Sequence, residues 1–102
     1  MNTLRIGSCV LGDRPRVAAA ISGFTDPAEI DAALGEGVDL LEIRADLFPD
    51  PLSSRVDWYL DQLRPRPVLL TIRQSEEGGR WPGNEPARME RYFQLMPMAD
   101  AV

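Results

Sequence analysis

Val38-Asp39-Leu40-Leu41-Glu42-Ile43-Arg44, followed directly by Ala45-Asp46, is the stretch on which the fold turns. Its apolar density reads as a strand buried inside a sheet, as in parallel sheets with helices packed on them. Side chains alternate along a strand, so Glu42 and Arg44 share one face while Leu41 and Ile43 point to the other. Functional groups of parallel α/β sheets gather at the C-terminal strand ends, which is where this charged pair lies. In a barrel the Glu42/Arg44 face can be the interior.

Working outward, Val17-Ala18-Ala19-Ala20-Ile21 is apolar throughout and reads as a strand buried on both faces. Leu4 to Leu11, a turn at Gly12-Asp13 and Arg16 to Ser22 suggest a hairpin leading into it. A helix starts at Asp26 as cap, with Pro27 at its first position and Glu29 three after the cap. Ile30, Ala33 and Leu34 form its apolar stripe, and Gly35 or Gly37 stops it. Beyond the central strand, a loop from Asp46 to Pro51 precedes a second helix from about Ser53. There Val56, Tyr59, Leu60 and Leu63 follow i, i+3, i+4, i+7, and Pro65 ends the run.

Val68 to Arg73 is the third strand, and Ser75 to Gly83 is polar and glycine-rich, hence a loop. Asn84 caps a third helix that places Met89, Tyr92, Phe93 and Met96 inward and ends at Pro97, after which Asp100-Ala101-Val102 reads as the opening of a fourth strand. The order β-α-β-α-β-α-β implies a parallel sheet with right-handed crossovers. It fits a doubly wound sheet or part of a (β/α)₈ barrel equally well. A whole barrel needs about 250 residues, so these 102 residues hold only half of one.

Composition narrows the function. With 44% hydrophobic and 26% charged residues the chain reads as globular. A net charge of −5 argues against a nucleic-acid partner. No run approaches the roughly 20 apolar residues that cross a bilayer, and no signal peptide is visible, so no membrane partner is expected. Cys9 is the single cysteine, which excludes a disulfide framework or a thiolate metal cluster and fits a reducing cytoplasm. There is no histidine, and all eleven basic residues are arginine. The commonest neutral-pH acid–base group is therefore missing, and no side chain here forms a Schiff base.

The third strand ends in Leu70-Thr71-Ile72-Arg73, which puts Thr71 and Arg73 on one face. Arg44, Arg73 and Glu42 converging at one rim make a site for a small polyhydroxylated or anionic ligand, a task suited to arginine's rigid fork of donors. Spacing alone leaves open a plain buried ion pair of Glu42 with Arg44 or Arg73. Glu77, followed by Gly78-Gly79, is either a carboxylate held by a glycine turn to orient a base or bind substrate, or a solvated loop acid. Glu76 reads as solvated. Trp58 and Trp81 read as packing, Cys9 as a hairpin side chain and the methionines as core filler.

Pro15-Arg16-Val17, then Asp39-Leu40-Leu41-Glu42-Ile43-Arg44-Ala45-Asp46-Leu47-Phe48, Leu70-Thr71-Ile72-Arg73 and Glu77-Gly78-Gly79 together resemble, in order and spacing, the N-terminal half of type I 3-dehydroquinate dehydratase. The resemblance implies that residues 1–102 form a truncated, partial (β/α)₈ TIM barrel of three strand–helix units and the start of a fourth strand. Leu4 to Leu11 would be the N-terminal β-hairpin that covers the barrel bottom. It implies conversion of 3-dehydroquinate to 3-dehydroshikimate and water in the shikimate pathway, with no metal or organic cofactor. A lysine forms an imine with the substrate ketone, and a histidine removes the neighbouring proton.

Glu42, Arg44 and Arg73 are similar to the residues that hold the substrate hydroxyls, and Glu77 to the carboxylate that orients the histidine. The family often carries a serine on its first strand where Ala20 stands, with Ser22 two residues on. The lysine, the histidine and the arginine that grips the substrate carboxylate belong to the family's C-terminal half. The chain alone is therefore expected to be inactive and marginally folded, and to work as a homodimeric full-length enzyme or with a complementing C-terminal half. The alternative is a non-catalytic half-barrel that binds or interacts.

Overall fold

The computed structural model describes residues 16–102, together with the backbone of two short strands, β1 (Leu4–Ile6) and β2 (Cys9–Leu11). These two pair antiparallel, with Leu4 opposite Leu11 and Ile6 opposite Cys9, so the hairpin lies within Leu4–Leu11. The turn expected at Gly12-Asp13 lies outside the described residues.

The main sheet is fully parallel, in the order β3 (Ala18–Ile21), β4 (Leu40–Arg44), β5 (Val68–Thr71). Beyond β5, Ala101 adds a parallel bridge to Leu69, the start of a fourth strand. Strand order thus follows chain order without reversal.

Each helix starts where a side chain can satisfy the free N–H groups of its first turn. The Asp26 carboxylate accepts from Ala28 N at 2.9 Å at the head of α1 (Pro27–Gly35). Ser53 Oγ accepts from Arg55 N at 3.1 Å at α2 (Ser54–Leu63), and Asn84 Oδ1 from Ala87 N at 3.0 Å at α3 (Glu85–Leu95). Gly37, at φ +113°, takes the left-handed turn after α1 that other residues avoid.

All three helices serve one core. Ile30, Val56, Tyr59, Leu60, Leu63 and Leu95 cluster with Ile21, Leu41, Ile43, Val68, Leu70 and Ile72, which all lie on one side of the sheet. The opposite side has only Leu40 with Leu69 and Ala101. A doubly wound sheet carries helices on both faces, whereas a barrel wall carries them on one. One-sided packing and unreversed strand order therefore select the partial (β/α)₈ barrel.

Three expectations need correction. Strand β3 is not buried on both faces: Ala18 and Ala20 are exposed because no helix covers that side. Helix α3 does not turn its methionine stripe inward. Met89 (42%), Phe93 (67%) and Met96 (41%) are exposed, whereas Arg91 and Leu95 are buried and Tyr92 is half-buried. The reason is polar anchoring. Arg91 donates to Pro51 O at 2.8 Å, Ser53 O at 3.1 Å and Asp57 Oδ1 at 2.7 Å, tying α3 to the head of α2. Packing describes Trp81, which is buried and whose indole N–H donates to Asn84 O at 3.1 Å, but Trp58 is 65% exposed. No helix among the described residues is long and apolar enough to cross a membrane.

Candidate active site

The uncovered face of the sheet holds the polar residues. Parallel register sets Ala20 beside Glu42, and Arg44 beside Thr71. Thr71 Oγ1 donates to Glu42 Oε2 at 3.1 Å, so the carboxylate is oriented across the strand pair while further lone pairs stay open. Ala20 contributes only a methyl group beside it, and Ser22 is exposed two residues further along.

Arg44 does not pair with Glu42. Its Nε and Nη2 donate to Asp46 Oδ1 and Oδ2 at 3.1 and 2.9 Å, a bidentate fork. The Asp46 side chain is fully buried, and its Oδ2 also accepts from Arg80 N at 3.1 Å. Burial pushes this carboxyl up. The Arg44 guanidinium and the backbone N–H groups of Arg73 and Arg80 outweigh that effect and leave it below the ordinary carboxylate range. The Arg44 guanidinium is correspondingly raised, by the Asp46 hydrogen bonds first.

Arg73 follows just past the end of β5. It is exposed, and among the described residues its guanidinium has no hydrogen-bond or ion-pair partner. Its backbone is well held. The preceding Ile72 N–H donates to Tyr92 Oη at 2.7 Å, and Ile72 O accepts from Arg88 Nη1 at 2.8 Å. The buried ion pair left open by the sequence, Glu42 with Arg44 or Arg73, is therefore absent among the described residues.

Glu77 ends a single 3₁₀ turn, Ser75–Glu77, and is exposed. Gly78 follows in the left-handed region at φ +87°, and Gly79 N then donates to Gln74 O at 2.8 Å. A Cβ on Gly79 would lie 2.2 Å from Arg73 O, so only glycine lets the loop fold back onto the strand end. The structure thus brings Glu42, Arg44 and Thr71 together, and carries Arg73 just past the strand end and Glu77 on the adjoining loop.

Asp46 is the residue that the sequence reading left in a loop. Its signal was the two-residue spacing Arg44-Ala45-Asp46, which places a carboxylate within reach of the arginine fork. Among the described residues no group of three or more His, Cys, Asp or Glu is placed to hold a metal ion.

Comparison with known proteins addresses the same segment. The model of the type I 3-dehydroquinase family matches residues 24–102. This chain belongs to that family. Among curated relatives, the 3-dehydroquinate dehydratase of Methanococcoides burtonii is 35% identical, over 97% of this chain and 43% of its own length. That of Methanoregula boonei is 32% identical over 80% of this chain and 39% of its own, and that of Methanosarcina mazei 31% over 94% and 40%. The chain thus spans about two fifths of the length of these relatives. The match takes in every strand of the open face except β3, and both loops that carry Asp46 and Glu77.

Proposed function

We propose that this chain supplies the substrate-holding wall of a 3-dehydroquinate dehydratase. The observation that carries the reading is the open sheet face, where an oriented Glu42 carboxylate and a forked Arg44 lie side by side, with Arg73, unpartnered among the described residues, just past the neighbouring strand end. A carboxylate accepts hydroxyl protons and guanidinium groups donate to hydroxyl and carbonyl oxygens, which suits a polyhydroxylated ring acid. Family membership and the relatives' name supply the candidate, 3-dehydroquinate.

Within this reading Glu42, Arg44 and Arg73 hold the ring hydroxyls. Glu77 accepts the ring N–H of a histidine and so fixes its tautomer. The chain has neither lysine nor histidine, so the imine-forming amine and the base come from outside these residues. The imine draws electrons from the adjacent carbon as its proton leaves, the hydroxyl departs with a proton as water, and a second water hydrolyses the product imine to free 3-dehydroshikimate and the amine. That chemistry calls for no metal or organic cofactor. The 102 residues then form the N-terminal half of a cytoplasmic barrel enzyme. They act in a homodimer of the longer protein, or with a complementing C-terminal half, and have no turnover alone.

The test is to follow 3-dehydroshikimate absorbance with this chain alone and with a separately expressed C-terminal half of a relative. Turnover only in the mixture is expected. Absence of turnover in both, with the chain soluble and monomeric, would favour a half-barrel that binds without catalysis.

A further inference from the structure

Resting on the reading above, the geometry points to Asp46 as a positioning residue that sets Arg44 and the Glu77 loop from one buried carboxylate. Three lines converge on it. Both of its oxygens are taken by the Arg44 fork, at 3.1 and 2.9 Å, which fixes the plane of the guanidinium and leaves the Nη1 edge for ligand. The Arg80 backbone N–H donates to the same carboxylate at 3.1 Å, and the backbone of Arg73 helps to hold its pKa down. These two residues bracket the loop 74–79. That loop is closed further by Gly79 N to Gln74 O at 2.8 Å and Trp81 N to Arg73 O at 3.3 Å. Glu77 therefore rides on a loop whose far end is tied, through Arg80 N, to the group that aims Arg44.

A buried carboxylate costs folding free energy unless it is paired and hydrogen-bonded, and here the Arg44 fork and the Arg80 N–H supply three donors. Salt-bridge stabilisation alone would not need the backbone donor. The arrangement instead links the placement of a substrate-holding arginine to that of a loop acid 33 positions away in the chain, through a single side chain.

The experiment uses the isotope-labelled 102-residue chain and 3-dehydroquinate as probe. The Arg44 Nε–Hε resonance and the Arg80 amide are expected to exchange slowly with solvent in wild type. Asp46→Asn releases both, whereas Arg44→Lys leaves the Arg80 amide protected. Asp46→Asn and Arg44→Lys each weaken 3-dehydroquinate binding about tenfold, the size of one charge-assisted hydrogen bond. The double variant is no weaker than the poorer single, because Asp46 acts through Arg44. Additive losses, or an Asp46→Asn chain that is folded and keeps both protected resonances, would overturn the inference. A wild-type chain that binds no 3-dehydroquinate would count against the substrate reading, while the exchange data would still decide the role of Asp46.

Discussion

The two faces of the β3–β4–β5 sheet are made by the same three strands, yet they do opposite work. On one, Leu41, Ile43, Leu70 and Ile72 are fully buried under three helices. On the other, Glu42, Arg44 and Thr71 are half-buried and Arg73 is exposed. The two-residue period of a strand lets neighbours in sequence belong to different environments without any change in backbone. The helix-covered face stabilises the unit through apolar burial. The open face tolerates Glu42 and Arg44 because each is held by a specific neighbour, Thr71 and Asp46, while Arg73 is exposed to solvent. Substitutions on the first should be read in stability and on the second in binding.

The largest effect is expected on the covered face. Leu60→Ala removes a fully buried side chain at the centre of the cluster and should cost about 2–5 kcal/mol, most of the stability of a unit this small. Urea unfolding followed by circular dichroism measures it. Arg91→Met should cost about 3 kcal/mol, since Asp57 and the carbonyls of Pro51 and Ser53 lose their donor. A cost as small as a surface substitution would mean that the apolar layer alone holds α3 in place.

On the loop, Gly79→Ala forces the chain away from Arg73 O and should cost about 1–3 kcal/mol in the same assay. Its larger consequence should be lost amide protection over residues 74–81. Acid provides a milder probe of the open face. The Asp46 carboxyl titrates below its unfolded value, so its contribution is complete above about pH 4 and fades as pH falls through the lower, folded value. Asp46→Asn should flatten that acid limb, and an unchanged pH profile would break the assignment. The smallest effect belongs to the solvent: Asp61→Asn removes an exposed contact to Arg64 at 3.9 Å and should shift stability by less than about 0.5 kcal/mol.

How far the sequence alone reached follows from the same division. The helix stripe Val56, Tyr59, Leu60, Leu63, the caps Asp26 and Asn84 and a helix start near Ser53 were legible because local pattern and tertiary packing agree there. The face of α3 was misread because its anchor is Arg91, a charge that pattern reading places outside and that three partners about 35–40 residues away draw in. One-sided burial of β3 escaped for a related reason: three alanines look the same whichever face is covered.

At the site, alternation put Glu42 with Arg44 and Thr71 with Arg73, and the strand register sets Arg44 beside Thr71. Their partners were not legible. The Glu42–Thr71 contact depends on strand register, and the burial of Asp46 depends on Arg73 and Arg80, whose approach is set by the folding of the glycine loop. The glycine turn after it singled out Glu77 over Glu76 in sequence, but the closing of its loop onto the end of β5 is a tertiary property.

The division between the two faces is tested most directly by mapping 3-dehydroquinate onto the labelled chain by NMR. The account predicts shifts at the Thr71 methyl, the Arg44 and Arg73 side chains and the Glu42 amide, with the Leu41, Ile43, Leu70 and Ile72 methyls unmoved. Shifts confined to the helical layer, for example at the cleft of about 210 Å³ between Phe24, Trp58 and Tyr59, would contradict it.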